Sequence, residues 1–425
     1  MSEASYIKGW CPGALRPMES GDGLIVRLRV TGGTLTVTQA RAIANASEIY
    51  GNGLIDLSSR ANLQIRGVTH ETWPKLIETL SRYDLVDQAE EAESVRNVMA
   101  SPLAGLDPTA LINISPLVKA LEDHLKSSHA LHQLPAKFGF LIDDGGAWSI
   151  KTFSADINFE AIIIEGAASF AVRLAGAETI SIIHPHDLIK TADTLAHYFI
   201  DARRGHEEKI RRMNDLVARD GAGSIFAALG LTTKALRITP SHEPHVLGFQ
   251  QIDRLGCLSL AAPFGRWQSS IFSKLIDFAE VNHLSSLRLS PWRALILPGI
   301  SKNIAEQALS LFGSDLITDP HDPRLSIAAC SGAPHCLHAS VETQKDARAL
   351  SALFKNAPMS GISLHVSGCE KGCAHPRSSK MTLVGRRGLY DLVINGKADD
   401  PPRQRGLDPT QAVSTIKAWL EGDGA

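Results

Sequence analysis

The segment from Leu287 to Ile300 (LRLSPWRALILPGI) lies over Ile55 to Val68 (IDLSSRANLQIRGV) at an offset of 232 residues. Two leucines, a serine and a glycine coincide, and the rhythm of apolar positions is kept. Upstream, Cys257 to Pro263 falls against Leu24 to Val30 at nearly the same spacing. A period this long is foreign to solenoids, whose repeats run to about 20–50 residues. It implies an internally duplicated α+β protein, with two strand–helix–strand copies packed around a pseudo-twofold axis. At 425 residues the chain exceeds one ordinary domain and has room for several packed units.

The differences between the copies point to a ligand. The first copy carries Arg60, Asn62, Gln64 and Arg66 at alternate positions, where the second has Trp292, Ala294, Ile296 and Pro298. Alternation places each set of four on one face of a strand. Two guanidiniums and two amides on one face suit bidentate recognition of several carboxylates. The plain alternative is an exposed edge strand with solvated charges. Arg96, followed by Asn97 and Val98, and Lys137 add cations beside apolar segments. A porphyrin-like ligand with many acid groups would need that density of charge.

Strand and helix patterns alternate along the chain. Gly23 to Val30 reads as a strand, Thr38 to Tyr50 as an amphipathic helix, and Leu54 to Val68 as strand material. Asp107 to Ser127 reads as a helix with Asp107 as its N-cap ahead of Pro108. Phe138 to Asp143 and Trp148 to Phe153 read as strands joined by a turn at Asp144-Gly145-Gly146. The expected units run over 1–75 and 76–205, a connector follows over 206–240, and two further units run over 241–310 and 311–425.

Composition excludes several function classes. The chain is 44% hydrophobic and 21% charged, with 43 basic against 45 acidic side chains and a formal charge of −2. That balance argues against a dedicated nucleic-acid or membrane-surface binder. The opening MSEASYIKGWCPGAL lacks the basic start and apolar run of a signal peptide, and no window reads as a membrane span. Six cysteines are few for a disulfide scaffold and suit a reducing cytoplasm.

Four of those cysteines form two pairs, Cys330-x5-Cys336 and Cys369-x3-Cys373. Two loops with two thiolates each can hold a [4Fe–4S] cube. Turn-forming flanks, Ser331-Gly332-Ala333-Pro334 and Ser367-Gly368, let backbone amides approach the sulfides. Structural zinc prefers pairs two to four residues apart and fits the first pair poorly. Disulfides and unrelated buried thiols are the remaining alternatives. Cys11, in Cys11-Pro12-Gly13, reads as a packed thiol at a strand entry, and Cys257 as core. His335, His338 and His375 flank the cluster cysteines.

The Cys-x5-Cys and Cys-x3-Cys pairs, with Ser367-Gly368-Cys369 and Gly372-Cys373, resemble the cluster signature of the sirohaem nitrite and sulfite reductases. The Arg60 to Arg66 strand and Arg96-Asn97-Val98 resemble that family's tetrapyrrole-binding segments. The resemblance covers essentially the whole chain. It implies a duplicated nitrite/sulfite reductase-like fold, with ferredoxin-like half-domains and two α/β domains for cluster and tetrapyrrole. The segments Cys11-Pro12-Gly13-Ala14-Leu15, Ser20-Gly21-Asp22-Gly23 and Leu134-Pro135-Ala136-Lys137-Phe138-Gly139 resemble a cobalamin-pathway branch of the superfamily. Gly139 stands where the reductases carry a second lysine.

That branch implies an acidic tetrapyrrole substrate, precorrin-3A, with dioxygen and an electron donor such as a ferredoxin or flavoprotein as partners. It also implies a [4Fe–4S] cluster and a separate non-haem iron, whose ligands are not legible. Arg60, Asn62, Gln64, Arg66, Arg96 and Lys137 would then bind the tetrapyrrole, and Cys330, Cys336, Cys369 and Cys373 the metal. A sirohaem-dependent sulfite or nitrite reductase is the first alternative. A non-catalytic iron–sulfur or zinc-stabilised binding module is the second.

Overall fold

The computed structural model of the chain describes residues 11–235, 244, 246–355 and 362–422. Met1 to Trp10, the bulk of the segment read above for a signal peptide, lie outside the described residues. Four sheets organise the rest. Two are small and related by the repeat: strands beginning at 23, 34 and 54 recur at 255, 266 and 286, the same offset of 232.

Each small sheet borrows its fifth strand from the other copy. Arg266–Gln268 pairs with Leu54–Leu57, setting Trp267 opposite Ile55. Thr34–Thr36 pairs in return with Ser286–Leu289, setting Leu35 opposite Leu287. The helices Val37–Tyr50 and Ser269–Val281 follow the exchanged strands and pack together beneath both sheets. Thr36 caps the first helix through a reciprocal box with Gln39, which fixes where strand ends and helix begins. Val26, Leu28, Leu63 and Ile65 from one copy and Leu258, Leu260, Phe272 and Leu295 from the other share one core.

The two larger sheets are also copies of one plan. In the first, Val98–Ala100, Phe140–Asp143 and Ile157–Ile164 run parallel, and Ala167–Leu174 then turns antiparallel. In the second, Ile327–Ala329, Leu364–Ser367 and Ser379–Arg386 run parallel before the antiparallel Leu389–Gly396. The chain is therefore a duplicated α+β protein, as the repeat implied.

Three local expectations are corrected. The helix expected from Asp107 begins only at Ser115, because the Asp107 carboxylate is taken by Thr109 and by the Ala147 amide. Trp148 to Phe153 is not a strand. Its Ile150 amide donates to Asp143 at 2.6 Å instead of joining a ladder, and Phe140–Asp143 pairs with parallel neighbours. The described part of the expected connector, 206–235, is packed: helices Met213–Asp220 and Ala222–Ala228 bury Met213, Leu216, Ile225 and Phe226 in the first large core.

Candidate functional site

Adjacent parallel strands deliver the two cysteine pairs side by side. Cys330 follows Ile327–Ala329 and Cys369 follows Leu364–Ser367, both at carboxyl ends, where open α/β sheets gather ligands. The Gly368 amide donates to the Cys330 sulfur at 3.1 Å. A Cβ on Gly368 would sit 2.6 Å from that of Ala339, so only glycine lets the amide come this close. Burial pushes the Cys369 thiol up; an amide hydrogen bond from Lys371 opposes this, and Cys373, Cys330 and Cys336 push it further. The four expected ligands thus share one electrostatic neighbourhood, and metal binding would relieve their mutual repulsion.

Among the described residues no three His, Cys, Asp or Glu side chains converge on a single point. A mononuclear iron finds no ready ligand set there.

The first cysteine loop is pinned to the first small sheet by a buried ion network. Arg66, only 2% exposed, meets Asp22 at 2.7 Å and Asp56 at 3.2 Å and donates to the His335 carbonyl at 2.7 Å. Arg266, on the exchanged strand, grips Asp56 at 2.7 Å and Ser331 at 3.1 Å. Burial raises the Asp22 carboxyl, but hydrogen bonding and charge from Arg66, aided by Asn52, hold it below its ordinary value. Arg66 therefore positions the cluster loop, and its donors are spent.

Arg96 is spent as well. It is 6% exposed, pairs with Asp87 at 2.7 Å and Glu122 at 3.0 Å, and donates to the Arg29 carbonyl. Of the residues expected to bind a tetrapyrrole, Arg60 reaches the principal cleft, a cavity of about 580 Å³. Small-molecule sites occupy roughly 300–1,000 Å³. Phe153 and Trp292 meet edge to face across 5.6 Å on its wall, and Ala374 and His375, beside Cys373, line the cluster end. Arg60 projects from the turn between two strands, so water reaches it. Protein still surrounds it enough that desolvation, and then the Arg212 charge, lower its guanidinium pKa.

Asn62 lines a smaller pocket that shares Arg60 and Met99 with the cleft. Gln64 lies half-buried opposite Arg27 and Asp56, and Lys137 is exposed on a loop. At Gly139 a Cβ would lie 3.6 Å from Arg60 Nη1, so the arginine borders the place of the reductases' second lysine.

Sequence reasoning missed Arg27 and Arg29, although their alternation in GLIVRLRV was legible. It also missed His365, buried beneath the second cysteine loop with neither ring nitrogen hydrogen-bonded. Burial and the nearby His375 hold that imidazole down at about 4, hence neutral. No signal marked Arg266, whose partner strand lies about 210 residues away.

Comparison with known proteins gives a consistent picture. The sequence model for the nitrite/sulfite reductase ferredoxin-like half domain matches residues 16–83. That for the nitrite and sulphite reductase 4Fe-4S domain matches residues 91–235. A precorrin-3B synthase from a Sinorhizobium species is 29% identical over 94% of this chain and 85% of its own. The ferredoxin–nitrite reductase of Synechococcus elongatus is 26% identical over 88% and 78%. The sulfite reductase hemoprotein beta-component of Acidithiobacillus ferrooxidans is 25% identical over 88% and 76%. In fold, the NirA protein of Mycobacterium tuberculosis superposes with a TM-score of 0.76 at 17% identity, across 94% of this chain and 80% of that one.

Proposed function

The chain belongs to the nitrite and sulfite reductase superfamily, and from that premise we propose that it is a precorrin-3B synthase of aerobic cobalamin biosynthesis. The reaction hydroxylates precorrin-3A at C20 and closes a ring-A acetate to a γ-lactone. One oxygen atom of dioxygen enters the substrate and the other leaves as water, on two electrons and two protons from a donor such as a ferredoxin or flavoprotein.

One observation carries this reading: the cleft is lined by Arg60 together with Arg293, Arg324 and Arg377, a cationic wall suited to a ligand with several carboxylates. Arg96 is neutralised by Asp87 and Glu122, Gly139 replaces a lysine, and Arg60 alone of the expected arginines opens into the cavity. Arg60 would fix a substrate carboxylate and so choose which meso carbon faces the cluster end. Phe153 and Trp292 would cover the macrocycle and exclude water. A [4Fe–4S] cluster on Cys330, Cys336, Cys369 and Cys373 would supply electrons when bound. The place of action we propose is the cytoplasm; among the described residues no helix is long and apolar enough to cross a membrane.

The test is the spectrum and metal content of protein purified without oxygen, followed by incubation with precorrin-3A, dioxygen and a reductant. The expected outcome is about four sulfides with about four to five irons per chain, no chlorin bands, and a product one oxygen atom heavier. Stoichiometric sirohaem with turnover of nitrite or sulfite would replace this reading with the reductase. An unchanged precorrin-3A with neither haem nor turnover would leave the binding-module alternative.

A further inference from the structure

Strand Leu364–Ser367 runs directly into the second cysteine loop. Leu364 and Val366 point into the core of the second large unit, so alternation sends His365 to the opposite face. There it pairs in register with Ala328, which lines the cleft. The imidazole is fully buried, and neither ring nitrogen has a hydrogen-bond partner among the described residues. Its polar edge meets the cysteine loop. A Cβ on Gly372, the residue before Cys373, would stand 3.7 Å from Cε1, the carbon between the two nitrogens. His375, just past Cys373, lies edge to face with the ring at 5.9 Å between centres, without a hydrogen bond between them. A neutral imidazole still carries one N–H. Burying that donor with nothing to receive it is unfavourable.

The duplication supplies an internal comparison. Cys330 and Ser101 occupy equivalent places, since their amides donate to the Val366 and Ile142 carbonyls. One residue earlier on each strand, His365 matches Leu141. Leu141 is also fully buried, and it pairs with Met99 as His365 pairs with Ala328. The unit without cysteines fills this place with a hydrocarbon, and the unit with four of them fills it with an unanswered donor. Packing alone would take leucine in both. The imidazole therefore serves something that only the cysteine-bearing unit holds.

We propose that His365 is a positioning residue that acts through the [4Fe–4S] cluster, its N–H donating to a cluster sulfur and favouring the reduced state. This rests on the assignment of the cluster to Cys330, Cys336, Cys369 and Cys373. One-electron reduction adds negative charge to the sulfurs, so the hydrogen bond strengthens on reduction and raises the potential. The proton stays on the imidazole throughout.

The test uses the cluster-loaded full chain, reduced with dithionite in the absence of oxygen. In wild type grown on 15N-labelled histidine, pulsed electron paramagnetic resonance should show a weakly coupled imidazole nitrogen. After exchange into deuterium oxide it should also show a coupled deuteron. Both signals should vanish in His365→Leu, whose side chain the first unit already accommodates, with iron and sulfide per chain unchanged. Poised at the wild-type midpoint potential, His365→Leu should show a reduced-to-oxidised ratio about tenfold lower, a fall of about 59 mV for a one-electron couple. His365→Gln keeps an N–H donor and should recover part of that shift. A loaded wild type without the nitrogen coupling overturns the proposal, and it needs no variant, so it decides the matter even if His365→Leu misfolds. Couplings that survive in a loaded His365→Leu at an unchanged potential overturn it as well. A wild type that takes up no iron and sulfide removes the cluster assignment and the proposal with it.

Discussion

Arg60 and Arg66 are six residues apart in one sequence pattern, yet they do different work. Arg66→Ala leaves Asp22 buried without its guanidinium partner and Asp56 with Arg266 alone. It should cost about 3–5 kcal/mol of stability by denaturant titration and diminish cluster absorption through the loosened loop. Arg60→Ala should leave stability and cluster absorption intact and weaken binding of a polycarboxylate tetrapyrrole by about 2–5 kcal/mol, read by spectral titration. Equal behaviour of the two variants would sink the division. Alternation set Gln64 and Arg66 on one face of Leu63–Val68, but Asn62 precedes that strand and Arg60 lies in the turn before it, where Ala61 takes a φ of 54°. What alternation cannot reveal is which charges are answered. Asp22 comes from the turn after another strand, Asp87 and Glu122 from elsewhere in the fold, and each removes a guanidinium from the candidate site.

Strand exchange couples the copies through short elements with little intrinsic stability. Leu35 is fully buried on a three-residue strand that completes the other copy's sheet. Leu35→Ala should therefore destabilise by about 2–5 kcal/mol. Its signature would be faster amide exchange in Ser286–Leu289, about 250 residues away, more than in its own neighbouring strand Gly23–Leu28. Protection lost only around residue 35 would mean that the exchanged strand is decoration. The repeat in the sequence disclosed the two copies but not the exchange, because three-residue strands carry too short a pattern to name their partners. Trp148 to Phe153 shows the converse: its apolar alternation is real, with Trp148 and Ile150 buried, but its backbone is engaged by Asp143.

The duplication extends to the cluster site itself, where one copy has kept the geometry and changed the chemistry. The Cys330 amide donates to the Val366 carbonyl and the Gly368 amide to the Cys330 sulfur. In the first large unit the Ser101 amide donates to Ile142 and the Asp144 amide to the Ser101 hydroxyl at 3.0 Å. Serine thus stands where the other copy has Cys330, a proposed cluster ligand. Beside it Asp144 is 1% exposed with one oxygen unpartnered, and burial, with Asp143 and Asp107 nearby, raises its carboxyl to about 6. A carboxyl that titrates higher when folded favours the native state fully below about pH 4, and that contribution disappears as pH rises through 6. Comparing denaturant midpoints at pH 4.5 and 7.5, the wild type should lose up to about 3 kcal/mol more than Asp144→Asn. Parallel curves would show that Asp144 does not titrate in this range. The cysteine spacings made the functional copy legible, whereas its silent counterpart has no motif and emerges only when matching hydrogen bonds are compared.

The borrowed strands also govern the order in which a nascent chain can be completed. The Leu54–Leu57 edge waits for Arg266–Gln268, about 210 residues later in synthesis. At about 5–20 residues per second that is roughly 10–40 s on the ribosome with an unfinished, adhesive sheet margin. The amino-terminal half emerges first but closes last, and a holding chaperone would find its natural hour in that interval.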